Sequence, residues 1–252
     1  MYTPDEILDI TIQMGKKKIA KPLSSKLLLG FVGGAMISLG YLAYIRVASS
    51  MIEEWGSFAS FIGACVFPIG LIVILLGGGE LITGNMMAVS AAWLDKKVTM
   101  KELLINWLTI TVANIVGALF VAYFFGHIVG LTSSGAFLHE TVTLAQGKVA
   151  ASPLQAFISG IGCNWFVGLA LWLCYGAKDA SGKMLGIWFP VMTFVAIGFQ
   201  HSVANLFVIP AAIFEGGATW SQLIQNFVPV YLGNIVGGSV FVSALYYKAL
   251  KH

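Results

Sequence analysis

The chain has 252 residues, of which 58% are hydrophobic and only 10% charged, and its mean hydropathy is +0.87. Soluble domains carry about 25% charged residues, so this composition excludes an ordinary soluble enzyme and points to an integral membrane protein. Net charge is +3 with the basic residues thinly spread, which excludes a nucleic-acid surface.

Residues 1–24 are the one extended polar stretch. Asp5, Glu6 and Asp9 come early and Lys16, Lys17 and Lys18 late, an order that complements a helix dipole. With Ile7, Leu8, Ile10, Ile12 and Met14 between them, they predict an amphipathic cytoplasmic helix lying on the membrane or against the bundle. The mixed-charge start does not resemble a cleavable signal peptide. The remainder, 25–252, reads as a single transmembrane domain.

Six hydrophobic stretches follow, at about 26–50, 58–94, 103–130, 153–177, 184–214 and 226–248, each long enough for a crossing of roughly 20 residues. The second and fifth are too long and too interrupted for simple rods. The second holds Phe67-Pro68 and then the run from Gly77 to Asn85; the fifth holds Phe189-Pro190 and then Gly198 to Asn205. Non-helical backbone at membrane depth is tolerated only inside protein or along a wet cavity. These interruptions therefore predict broken second and fifth helices and mark the functional zone.

The halves repeat. Asn85, Asn106, Asn114 and Gly117 recur 120 residues later as Asn205, Asn226, Asn234 and Gly237. Three helices per half is an odd number, so the second half enters from the opposite side. That predicts inverted repeats, about 25–130 and 153–250, with a site between them near the midplane. Charge agrees: with the N-terminus inside, twelve of the 14 basic residues fall in cytoplasmic segments, and only Arg46 and Lys148 fall outside. This positive-inside pattern predicts a multi-pass protein of the cell membrane with both termini cytoplasmic.

Within the membrane, His201 is an ionisable residue flanked by Gln200 and Ser202; such a residue is expensive there and is usually paired or faces a water path. Its titration near neutral pH suits proton coupling. A lone charged Glu80 is implausible in this setting, which predicts a carboxyl held by backbone N–H groups at the break, or neutral. Thr83 can donate to an anion without carrying charge, and Asn85 and Asn205 can satisfy backbone freed by the breaks. Half-helix termini at such breaks favour anions. Cys65, Cys163 and Cys174 lie in apolar runs as small buried hydrophobes. His127, His139 and His201 lack a metal-ligand pattern, and neither a hydrolase triad nor a need for an organic cofactor is evident.

The segments Gly78-Gly79-Glu80-Leu81-Ile82-Thr83-Gly84-Asn85 and Gln200-His201-Ser202-Val203-Ala204-Asn205-Leu206-Phe207 resemble the signature regions of the formate/nitrite transporter family. Gly162-Cys163-Asn164-Trp165 and the run Gly233 to Gly238 support the match. The resemblance implies an all-α, aquaporin-like six-helix bundle, a homopentamer in membrane lipid, and passage of small monovalent weak-acid anions through each protomer. It further implies constrictions at Phe67, Leu71, Leu81, Val167 and Phe194, and central polar residues Thr83 and His201. Asn164 matches a pore-region asparagine and Lys148 an outer-vestibule lysine.

Where formate- and nitrite-type members usually carry glutamate before the central histidine, this chain has Gln200. That departure resembles the hydrosulfide branch, with formate or nitrite as the alternative. In the implied mechanism Lys148 gathers the anion, apolar gates strip its water, and Thr83 and His201 stabilise it, His201 lending a proton. A neutral-solute aquaporin-type channel would share the fold, but paired Asn-Pro-Ala motifs are missing from the breaks.

Overall fold

The computed structural model describes residues 1–251, with Glu53 in its backbone only. His252, the last residue of the expected 25–252 unit, and the Glu53 side chain lie outside the described residues. Helix α1, Pro4–Ala20, opens with a capping box in which Thr3 and Glu6 satisfy each other's backbone amides. Its buried face is Ile7, Leu8, Thr11, Ile12, Gly15 and Lys18, a spacing of three to four residues that makes one stripe.

Nine further helices follow in chain order: α2 Leu23–Ala48, α3 Ser57–Gly78, α4 Ile82–Leu94, α5 Met100–Ile128, α6 Gly135–Val149, α7 Pro153–Gly176, α8 Ala180–Ile197, α9 Ser202–Phe214 and α10 Trp220–Leu250. A single helical turn at Ile52–Trp55 lies between α2 and α3. Six of them, α2, α3, α5, α7, α8 and α10, are long and apolar enough to cross a membrane. The described residues hold no strand. The protein is thus an all-α, multi-pass bundle. Leu104, Leu108, Val112 and Val116 form an exposed apolar stripe along α5, a face suited to lipid or to another membrane helix.

The apolar side of α1 faces the bundle. A Cβ on Gly15 would stand 2.2 Å from the Ala88 carbonyl oxygen, so only glycine lets α1 lie directly on α4. Helices α2 and α5 cross in the same manner, since a Cβ on Gly34 would meet the Asn114 carbonyl oxygen at 2.1 Å. Small residues at membrane-helix crossings allow this approach.

The second membrane-length helix, α3, bends at Phe67-Pro68, where regular α-helix stops at Val66 and resumes at Ile69. Its last turn, Val73–Gly78, is wound wider than an α-helix and ends at Gly78 with φ 108°. The fifth, α8, departs from the expected broken rod, because it runs unbroken through Pro190. Proline removes one backbone donor, and here the helix continues past that loss. What stops it is Gly198, whose φ of 89° places it in the left-handed region that favours glycine. Four residues later α9 begins.

Overpacking a helix crossing costs about 1–3 kcal/mol, and the Gly34 position offers only backbone to push against. Gly34→Val is therefore expected to lower the thermal unfolding midpoint of the detergent-solubilised protein. Gly147→Ala, inside α6 where a Cβ meets nothing within 4 Å, is expected not to lower the midpoint in the same measurement, since alanine favours the helix.

Candidate functional site

The two non-helical links, 79–81 and 199–201, are built alike. Asn114 on α5 accepts from the Ile82 amide at 2.9 Å and donates to the carbonyls of Gly30 and Glu80 at 2.7 and 2.9 Å. Asn234 on α10 accepts from the Ser202 amide at 2.9 Å and donates to the carbonyls of Gly160 and Gln200 at 2.8 and 3.2 Å. Each side chain thus satisfies an amide and a carbonyl that the link leaves over and ties them to a carbonyl of a neighbouring helix, Gly30 on α2 or Gly160 on α7. Asn85 donates to Asn106 at 2.9 Å, and Asn205 to Asn226 at 2.8 Å. The left-handed glycines Gly78 and Gly198 and the helix-capping positions Leu81 and His201 keep the same offset.

Three cavities lie about these links. One of about 220 Å³ is lined by Tyr41, Tyr44, Phe67, Lys148, Phe194 and His201. Next to it, a chamber of about 10 Å³ is lined by Phe67, Leu71, Leu81, Val167, Phe194 and His201. A third, of about 200 Å³, is lined by Lys17, Lys18, Lys21, Gly79, Glu80 and Tyr175. All five apolar residues singled out in the sequence therefore meet around one chamber with room for roughly one water. Phe67 and Phe194 pack edge to face at 6.0 Å, and Phe194 stacks on the His201 ring at 6.1 Å.

His201 and Thr83, which come from opposite halves, meet at 3.0 Å between imidazole Nε2 and Oγ1. Nδ1 of His201 accepts the Ala204 amide at 3.1 Å, so that nitrogen carries no hydrogen. The ring proton therefore sits on Nε2 and is donated to Thr83. This leaves the threonine hydroxyl hydrogen free to point elsewhere. The same contact opposes a doubly protonated ring, whose second N–H would face the Ala204 N–H. Asn164 lies behind the pair and donates to the Thr83 carbonyl at 3.2 Å and the Asn234 carbonyl at 2.6 Å.

Glu80 is not held by backbone amides, as its sequence position predicted. Its buried carboxylate pairs with the Lys18 ammonium at 2.9 Å and lies 3.8 Å from Lys21. The partner arrives from α1, because Lys18 falls on that helix's buried stripe. Gln200, at the equivalent point of the other link, accepts instead from the Asn205 and Asn226 amides at 2.8 Å each. Lys148, near the end of α6, donates to the Gly198 carbonyl at 3.2 Å, and burial lowers its pKa to about 8. Sequence reasoning missed Lys18 and the bridging roles of Asn226 and Asn234.

Comparison with known proteins adds a family to this geometry. The profile described as "Formate/nitrite transporter" matches residues 5–248. The chain is 59% identical over 246 residues to the "Uncharacterized transporter YrhG" of Bacillus subtilis (strain 168), covering 98% of this chain and 92% of that protein. It is 52% identical over 250 residues to the "Formate channel BtFdhC" of Bacillus thuringiensis, covering 99% and 96% respectively. Among solved structures, a "Pentameric formate channel with formate bound" superposes with a TM-score of 0.79 at 28% identity, over 90% of this chain and 97% of that one.

Removing one partner of a buried ion pair costs about 3–5 kcal/mol, because the other charge is stranded. Lys18→Met is therefore expected to destabilise the protein strongly in a thermal melt. Adding Glu80→Gln to it should restore much of the loss; a double variant no more stable than Lys18→Met would show that the pair is not the source of the effect.

Proposed function

The chain belongs to the formate/nitrite transporter family, and on that premise we propose that it passes formate across the cell membrane. Proteins of this family are channels and transporters of small anions, not enzymes. Relatives named for formate weigh in favour of formate, with nitrite beside it, over the hydrosulfide preference that Gln200 alone would favour. The observation that carries the reading is the small apolar chamber lined by Phe67, Leu71, Leu81, Val167 and Phe194 among other apolar side chains, with His201 at its edge and Thr83 hydrogen-bonded behind that ring.

In this reading both termini are cytoplasmic, with α1 as a cytoplasmic segment of 1–24 ahead of one channel unit. The Lys148 cavity is the outer vestibule and the Lys18–Glu80 cavity the inner one. The units 25–130 and 153–250 are inverted repeats, and α8 and α9 together stand for a broken fifth helix. The matched hydrogen bonds of Asn114 and Asn234 support this. The chain assembles as a homopentamer with one path per protomer, an arrangement supported by the pentameric relative and by the exposed apolar stripe of α5.

Lys148 draws the anion into the outer vestibule, where a half-buried ammonium is screened less than one in water. Phe67, Leu71, Leu81, Val167 and Phe194 then strip water from it. A bare anion in an apolar gap is costly, and the free hydroxyl hydrogen of Thr83 offsets part of that cost. The His201 ring enters the cycle neutral, so it lends a proton only after taking one. Donors without a fixed charge also let the anion leave. Asn85, Asn164, Asn205, Glu80 and Gln200 tie together the elements around the two links and do not themselves bind the conducted anion.

Proteoliposomes loaded against formate, nitrite, hydrosulfide and chloride test the reading. Formate is expected to move fastest. Hydrogen bonds to charged groups are worth about 1.5–3 kcal/mol, so Thr83→Ala and His201→Ala should each slow formate flux about ten-fold or more. Flux no faster than in empty liposomes, from an intact oligomer, would sink the proposal.

A pH series tests Lys148 separately. Its ammonium is charged below about 8 and neutral above, so its help to entry is present on the acid side and lost as pH rises through that value. Initial formate entry should fall over this window, and Lys148→Met should remove that part of the fall.

A further inference from the structure

Lys148 faces two cavities. Besides the vestibule, it lines a second of about 390 Å³ together with Gln155, Ser159, Gly198 and Gln200. This side cavity shares Leu144, Lys148 and Gly198 with the vestibule but none of the residues around the narrow chamber, so it opens beside the vestibule and does not lead into the chamber. Its lining holds no aspartate or glutamate. Among the described residues, no carboxylate oxygen comes within 4.0 Å of the Lys148 ammonium, whereas Lys18 has Glu80 at 2.9 Å.

The hydrogen-bond census of the side cavity is a surplus of donors. Lys148 Nζ spends one of its three N–H groups, on the Gly198 carbonyl. Ser159 Oγ accepts from the Gln200 amide at 3.0 Å, and its own hydrogen has no acceptor among the described residues. Gln200 uses its side-chain oxygen to accept from Asn205 and Asn226, while its Nε2 makes one long contact of 3.4 Å with the Lys148 carbonyl. A half-buried cation, a free hydroxyl hydrogen and a free amide hydrogen converge with no negative charge between them. Glutamate at position 200 would keep the two accepted hydrogen bonds but bring a carboxylate beside the ammonium and fill its need for a counter-ion.

We propose that this side cavity is a second anion site, off the conducting path, which holds a monovalent organic anion by its carboxylate or sulfonate head on Lys148, Ser159 and Gln200. Its volume admits anions far larger than the narrow chamber can pass. Because Lys148 serves both cavities, an anion held there withdraws the ammonium from the vestibule and slows formate entry from that side. Gln200 is the residue that makes the site, since it supplies a donor where glutamate would supply a competing charge. The consequence for entry rests on the proposed channel reading; the binding site does not.

Benzenesulfonate is a suitable probe, being charged at all working pH values and too polar to cross lipid. Binding to the purified oligomer in nanodiscs is measured by calorimetry, independently of transport. Saturable binding is expected, about ten-fold or more weaker in Gln200→Glu and in Lys148→Met, consistent with the loss of a charge-assisted hydrogen bond. Lys148→Arg should restore it. Ser159→Ala should weaken binding, whereas Ser60→Ala, which lines only the vestibule, should not. Unchanged affinity in an intact Gln200→Glu oligomer would overturn the site, and so would sensitivity to Ser60→Ala without sensitivity to Ser159→Ala. Should Gln200→Glu fail to assemble, the two serine variants decide the matter alone. External benzenesulfonate is also expected to inhibit formate entry in proteoliposomes, and tight binding without inhibition would overturn the shared role of Lys148.

Discussion

A backbone N–H or C=O left without a partner in a buried interior costs several kcal/mol, and this chain leaves helical geometry at two buried links, 79–81 and 199–201. Two asparagines meet that cost. Asn114 and Asn234 each reach from a long helix to one link, take up an amide and a carbonyl there, and anchor them to a carbonyl of the neighbouring helix α2 or α7. An asparagine is suited to this because it carries both an acceptor and two donors on one short, uncharged side chain. Everything near the chamber hangs on those six hydrogen bonds. They fix where α4 and α9 start, and so where Thr83 and His201 point.

The shared scaffold carries unlike chemistry at matched positions. Leu81 and His201 occupy the same place at the start of their helices, yet one is an apolar wall and the other the polar edge of the same chamber. Glu80 and Gln200 also correspond, but the carboxylate is neutralised by Lys18 while the amide joins Asn205 and Asn226. The pattern is economical: backbone-holding residues repeat, and residues that face a cavity differ. A path for an anion needs unlike ends and a polar middle, which a strictly repeated sequence could not supply.

Much of this was legible in the sequence. The six apolar runs and the offset of 120 between the asparagines are properties of the chain alone, and they led to the crossings and to both links. The partner of Glu80 was not found, although a signal existed. Ile7, Leu8, Thr11, Ile12, Gly15 and Lys18 share one helical stripe, so a lysine on the buried side of α1 called for a buried acid. Reading the lysine run as a charged terminus hid that. The behaviour of Pro190 was not legible either, because a proline in a membrane helix can bend it, as Pro68 does in α3, or be carried through, as in α8. The neighbours decide which. Which apolar residues meet at the chamber is likewise set by helix packing, and periodicity within one helix is silent about partners on another.

The same rigidity bears on how an anion could cross a chamber of about 10 Å³. The two links are pinned by asparagines, and glycines press α2 onto α5 at backbone contact, so the main chain around the chamber has little room to breathe. Widening must then come from side chains. Phe67 and Phe194 meet each other edge to face, and the Phe194 ring lies nearly parallel to the imidazole at 6.1 Å between centroids; in the proposed channel a rotation of Phe194 would open the chamber and uncover His201 in one movement. In the channel proposed above, a gate made of side chains on a fixed frame would admit the anion to the polar pair only while the aromatic cover is displaced and would then close behind it, so that opening, dehydration and hydrogen bonding would become one coupled event.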